Sequence, residues 1–476
     1  MIPLRSRKIP LLFLAGGFLF VCRPISLYLD AMKLSSLLGH TREVLQLVRD
    51  SGKPADTLID SFFRSHKYLG SHDRRFIAET AYGTLRHLRK CEMVALRALG
   101  AQADGMLAED GFLLLIATYL LIIDRRTPLG VVDVGEGVKS GKLRQSLASI
   151  LAAIPLVAQP EPNDPAERIG LRYSFPDWMV HRFLNQYGES ETEKLCESLN
   201  EQAPLTLRVN TLKTTVDECQ RALKEEGIET QRTRLSPFGL LVPKRLNVFQ
   251  LQTFRNGWFE VQDEGSQLLP FLIDPKPTAK VLDACAGAGG KTLELAALMK
   301  NRGEIVATDV HSTRLEELRR RTRRAGVSNV RIRQVEDVAD LNDGYRDYFD
   351  VVLIDAPCSG LGTLRRNPGM KWVVTEDTIR EVSQKQLHIL ESSSSLVKPG
   401  GIVAYATCTL FREENEVVVE NFLTAHPEFT LESPPLAASR FDLKTFLAGT
   451  YVKVYPHRDG TDGFFIAVAR KRGARD

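Results

Sequence analysis

The chain has 476 residues, 43% of them apolar and 26% charged, with a net charge of +4. Such a chain folds as two or three soluble domains, and its weak charge neither demands nor excludes a nucleic-acid partner. Seven widely spaced cysteines without a C-x-x-C pair argue against a disulfide framework or a zinc site and for a reducing cytosol, so no metal is expected.

The chain opens on basic "MIPLRSRK" and apolar "IPLLFLAGGFLFVC" (9–22), a layout like a signal peptide. Fourteen apolar residues are too few to span a bilayer comfortably, and no small-x-small cleavage site follows. A normal helical pattern begins at Met32. Between export or a membrane anchor and a start codon assigned too far upstream, the second is expected for residues 1–31, or else a disordered extension, and no stable membrane association is expected.

From 32 to 154 the apolar spacing is helical: Leu37, Leu38, Val44, Leu45 and Val48, then Phe76, Ile77, Ala81, Leu85 and Leu88. "EDGFLLLIATYLLIID" is apolar enough for a buried bundle helix, and Arg86, Arg89 and Lys90 form a basic stripe. Four prolines between 155 and 165 mark a linker. Residues 166–262 alternate short helices with strands such as "LTLRVNTLK" and "WFEVQDEG", a small α/β module. From 263 to 472, strands and helices alternate as in a parallel sheet covered on both faces, whose ligands bind beyond the strand C-termini.

In that last region "VLDACAGAGGKTLELA" reads as strand, glycine loop and helix. Gly287, Gly289 and Gly290 permit a tight turn beside a ligand, and the helix N-terminus suits an anion. "GGKT" resembles the end of a P-loop, but that motif needs glycine where Cys285 stands. An S-adenosylmethionine site explains more. It needs an acid at the end of the second strand for the ribose, which Asp309 supplies, and a polar residue after the third, which Asp337 supplies.

Two thiols follow two further strands, Cys358 in "DAPCSG" and Cys408 in "YATCTL". Methylation at C5 of cytosine needs a thiolate to add at C6, a carboxyl near N3, and a group assisting release. Asp355, Cys358 and Cys408 would supply these from neighbouring strand ends, with apolar surroundings keeping Asp355 protonated.

"DACAGAGGKT", "DAPCSGLGTLRRNPGMKW", "YATCTLFREENE" and "DGFF" together resemble the Sun/RsmB family of RNA cytosine-C5 methyltransferases. "LGSHDRRFIAETAYGTLRHL" is similar to the NusB-like domain of that family's bacterial 16S rRNA branch, and "YSFPDWMVHRF", "LTLRVNTLK" and "FEVQDEGSQLL" look like its linker and RNA-binding region. The resemblance implies an all-α NusB-like domain, a small α/β RNA-binding module and a Rossmann-like methyltransferase domain. It implies Cys408 as nucleophile, Cys358 as the thiol assisting release, and a cofactor site of Cys285, Ala286, Gly287, Ala288, Gly289, Gly290, Lys291, Asp309, Asp337 and Asp355. Ribosomal RNA is the expected partner, with no DNA, and a cytoplasmic monomer is expected. One departure stands out: the family loop C-A-A-P-G-G-K is C-A-G-A-G-G-K here, so a rigidifying proline is missing.

For RNA contact, Arg365, Arg366 and Lys371 in the loop after the active-site strand are expected to meet phosphates, with Arg208 and Asn210 as weaker candidates. The alternatives to methyl transfer are a P-loop-type NTPase and a noncatalytic RNA-binding assembly factor that retains the fold.

Overall fold

The computed structural model describes residues 32–473 apart from 52, 101–105, 159, 245, 435–446 and 449. The expectation for residues 1–31 lies outside these.

Helices α1 (Leu34–Ser51), α2 (Ala55–Ser65), α3 (Ser71–Arg86), α4 (Leu88–Leu99) and α5 (Met106–Tyr119) form most of the N-terminal bundle. The apolar stripe read from sequence is its core: Leu38, Val44, Leu45, Ile77, Ala81 and Leu85 are all buried together. Among the described residues, no helix is long and apolar enough to cross a membrane.

The middle module is a four-stranded antiparallel sheet of β1 (Leu205–Val209), β2 (Gln231–Arg232), β3 (Gly239–Val242) and β4 (Phe259–Val261), in the order β2-β3-β1-β4. It has its own core around Leu207, Leu240 and Phe259. The helices at 165–199 do not share that core. Phe175, Phe183 and Leu195 pack instead with Leu361, Leu364 and Phe411 of the C-terminal domain.

The C-terminal domain is built on β5 (Lys280–Asp283), β6 (Glu304–Asp309), β7 (Val330–Gln334), β8 (Phe349–Asp355) and β9 (Val397–Thr407). These run parallel in the order β7-β6-β5-β8-β9. Beyond β9 the sheet turns antiparallel, through a strand at Phe464–Lys471 and another at Tyr451–Val454. The near-continuous apolar runs of the parallel strands have a simple cause, since both faces are covered. Val281 and Leu353 face one core, while Leu282 and Ile354 face the other. The strand order reverses beside β5, and the crevice that opens beyond the strand C-termini there carries the site.

Candidate active site

The loop after β5 begins at Asp283, which is fully buried. Its Oδ2 accepts from Thr292 Oγ1 at 2.7 Å, while Oδ1 has no hydrogen-bond partner. Burial pushes this carboxyl up to about 7, against the Thr292 hydrogen bond, with the Asp355 charge adding to the rise. Gly289 (φ 86°) must be glycine, because a Cβ there would lie 2.1 Å from Leu318 Cδ1. At Gly287 (φ 54°) a Cβ would meet nothing within 4 Å, so the backbone there faces open space. The Gly287 N–H donates to Asp309 Oδ2 at 2.9 Å, tying the loop to the end of β6.

The missing proline has a counterweight. Arg321, paired with Glu260, donates from Nη1 to the carbonyl of Ala288 at 2.8 Å and holds the loop from outside. Cys285 is inert by environment: burial, and then the carboxylates of Asp283, Asp355 and Asp309, push its thiol up.

Asp309 also accepts from the His311 N–H, and Asp337 caps the following turn through the Ala339 N–H while pairing with His388 Nε2 at 2.7 Å. The apolar pocket expected around Asp355 is absent. Lys291 Nζ lies 2.6 Å from Asp355 Oδ2 and also donates to Ser266 Oγ at 3.0 Å.

The two thiols, fifty residues apart in sequence, lie 3.3 Å apart, Sγ to Sγ. Both are half-buried and both line the cavity that holds the glycine loop, Asp309, Asp337, Asp355 and Lys291. The hydrogen bond shared with Cys408, and then burial, raise the Cys358 thiol well above its ordinary value, which favours a protonated Cys358 beside Cys408 Sγ. Neither cysteine is at a helix N-terminus. The α-helix after Cys408 begins only at Glu416, so its dipole is not positioned to act on the thiol.

A fully buried carboxylate sets the spacing of the two thiol loops. Glu414 accepts from the Ser359 N–H at 2.8 Å, Ser359 Oγ at 2.5 Å, Thr409 Oγ1 at 2.8 Å and Gln386 Nε2 at 3.2 Å. Ser359 and Thr409 each follow a cysteine, so one side chain holds both loops. Sequence reading gave Glu414 no role, because nothing distinguishes it from Glu413 in "REENE".

The structure places the five residues expected to contact RNA as follows. Arg365 is buried and donates from Nη2 to Gly460 O. Arg366 pairs with Asp462 and Asp263. Lys371 is fully buried, its Nζ held by Arg86 O, Ser174 O and Asn200 Oδ1 over the Phe175 ring, and burial pushes its pKa well below the usual lysine range. Arg208 is buried against Glu294, Gln262 and the Gly290 carbonyl, where it braces the start of the loop helix. Asn210 donates to Gly257 O and Ala325 O. All five make contacts to distant segments of the fold, and Arg208, Asn210, Arg365 and Lys371 are buried while Arg366 is half-buried. Of the N-terminal basic stripe, Arg86 donates to Arg365 O, and Arg89 donates to Phe175 O and Asp177.

This arrangement can be set beside known proteins. Residues 270–470 match the family described as 16S rRNA methyltransferase RsmB/F, and residues 175–249 match the ferredoxin-like domain of the same proteins. A probable ribosomal RNA small subunit methyltransferase B from Synechocystis is 32% identical over 87% of this chain and 95% of its own length. The chain belongs to the RsmB/F methyltransferase family. A second probable methyltransferase B, from Bacillus subtilis, is 30% identical over 93% of this chain and its own entire length. The crystal structure of PH0851 superposes with a TM-score of 0.76 at 30% identity, covering 93% of this chain and 99% of that one. A methyltransferase homolog from Pyrococcus horikoshii gives 0.56 at 30% identity, over 65% of this chain and all of that one. RsmB/F membership extends over the helical domain as well as the catalytic one, since the alignments with the bacterial relatives span nearly the whole chain.

Proposed function

We propose that this protein transfers a methyl group from S-adenosylmethionine to C5 of a cytosine in 16S ribosomal RNA, through a covalent adduct of Cys408 at C6. The observation that carries this reading is the pair of thiols at 3.3 Å on the wall of the glycine-loop cavity. One thiol explains addition, and two explain addition and release.

The cavity suits the cofactor. Its volume of about 610 Å³ is within the range of small-molecule sites, and an orphaned buried oxygen, Asp283 Oδ1, sits at its base. Asp309 and Asp337 offer carboxylates to hydroxyl and amine donors, and the open backbone at Gly287 admits close approach. When bound, S-adenosylmethionine supplies an electrophilic methyl group.

Cys408 Sγ adds to C6 of the cytosine, which makes C5 nucleophilic. After C5 is methylated its proton passes to a base, for which Asp355 is the carboxylate at hand on the cavity wall, the C5–C6 double bond re-forms, and the C6–Sγ bond breaks with its electron pair returning to sulfur. Cys358 holds a proton beside that sulfur and assists the last step. The Lys291–Asp355 pair places an ammonium and a carboxylate together where charge builds on the ring. The test is incubation with hypomethylated 16S rRNA and methyl-labelled cofactor, followed by bisulfite sequencing. A labelled 5-methylcytosine supports the proposal, and label at any other base or atom overturns it. The P-loop alternative is left without support, since Lys291 is engaged by Asp355 and position 285 is not glycine.

A further inference from the structure

A second cavity, of about 660 Å³, opens between the helical bundle and the methyltransferase domain. Its floor is apolar, made by Leu45 of α1, Leu85 of α3, and Phe112 and Leu115 of α5. Its far wall is Trp372, whose indole N–H donates to Leu85 O at 2.7 Å and so fixes the ring against the bundle. The rim is cationic: Arg42, Arg49 and Lys139 line it, against the single carboxylate of Glu92. Arg49 lies with Cζ 4.8 Å from the centre of the Phe112 ring, while its Nε donates to Asp50 outside. Arg42 donates to the Gly137 carbonyl, and Lys139 is exposed.

We propose that this cavity is a nucleotide subsite that takes one unstacked base of the RNA substrate, remote from the methylated cytosine; this rests on the reading of the protein as an RNA methyltransferase. Aromatic rings on an apolar floor receive a base, and a cationic rim receives its phosphate, which is how single-stranded RNA is held. With Arg49 paired to Asp50, Arg42 and Lys139 against Glu92 leave the rim net positive, which favours a polyanion over a neutral apolar partner. The subsite also joins the chemistry. Trp372 is carried on the same segment as Cys358, and that segment reaches the bundle again through the Lys371 contact with Arg86 O. RNA seated here would bear on the loop that presents a catalytic thiol.

The test uses the full chain and in vitro transcribed 16S rRNA. Two variants, Arg49→Ala with Lys139→Ala and Leu96→Trp at the exposed mouth, are compared with wild type by fluorescence anisotropy. RNA affinity should fall about tenfold in each, the RNA KM should rise, and cofactor affinity by equilibrium dialysis should stay constant. RNA bearing 4-thiouridine should crosslink to the peptides containing Phe112 or Trp372. Unchanged RNA affinity in both variants, or crosslinks confined to the cofactor cavity, would overturn the subsite and leave the functional reading intact; a protein or small-molecule occupant would give that pattern. Wild-type protein that binds no RNA at all would overturn both.

Discussion

Cys358 and Lys371 are thirteen residues apart on one segment and have opposite fates. The thiol faces a cavity with one partner, Cys408. The lysine nitrogen, the group that chemistry would send toward solvent or phosphate, is fully buried with three oxygen partners. The segment is therefore anchored at its far end and open at its near end. Charge alone does not mark a contact site; what matters is whether the fold has already filled the group's hydrogen-bonding capacity.

The sharpest way to break this contrast is at the open end. Cys408→Ala should abolish methyl transfer outright. Cys358→Ala should leave addition intact and stall release, giving a protein–RNA adduct that survives a denaturing gel. The reverse pattern would exchange the two roles.

The next effect is at Glu414, which holds both thiol loops. Glu414→Gln puts an amide donor where the carboxylate accepts four donors, so at least one donor loses its partner. Stability should fall by about 2–3 kcal/mol in urea titration. Turnover should fall by at least about tenfold while cofactor affinity holds, because the Gly-loop end of the cavity is untouched. Turnover equal to wild type would show that the thiol spacing does not depend on this carboxylate.

At the anchored end, Lys371→Met keeps the stem and removes the nitrogen that three oxygens hold. A loss of about 1–3 kcal/mol is expected. If Lys371 were a phosphate contact instead, the substitution would weaken RNA binding and leave the urea midpoint alone.

Much of this contrast was legible in advance, and the rest was hidden for identifiable reasons. The βα alternation and apolar runs place Asp283, Asp309 and Asp355 at strand ends, and strand ends are where such sheets bind ligands. The convergence of Cys358 and Cys408 followed from the same rule, because β8 and β9 are neighbours. The partners of Arg208, Arg365, Arg366 and Lys371 come from segments distant in sequence, such as Glu294, Gly460, Asp263 and Ser174. No local pattern encodes those pairings. The salt bridge between Lys291 and Asp355 escaped for the same reason, and it replaced an expected apolar pocket.

A pH test separates the buried end of the glycine loop from the rest. Asp283 has a folded value of about 7, above that of an unfolded aspartate, so the native state binds the extra proton between roughly pH 4 and 7. Its contribution to stability is full below that window and is lost as pH rises through it. Relative to wild type, Asp283→Asn should therefore gain stability across the window by an amount on the order of 1 kcal/mol or more, and show a flatter profile. Parallel profiles in urea titrations from pH 4 to 8 would refute the assignment.

The smallest effect concerns the loop that departs from its family. Ala288 occupies the usual proline position, and Arg321 grips its carbonyl. If that grip substitutes for proline's rigidity, Arg321→Ala should weaken cofactor binding a few-fold, and Ala288→Pro alone should change it little. Proline rigidity is worth about 0.4–1 kcal/mol, so Ala288→Pro in the Arg321→Ala background should recover most of the loss. A double-mutant cycle measured by equilibrium dialysis then gives a coupling of that size. Additive effects would mean that Arg321 and position 288 act on the cofactor independently, and that the loop is held by its glycine geometry and the Gly287–Asp309 hydrogen bond alone.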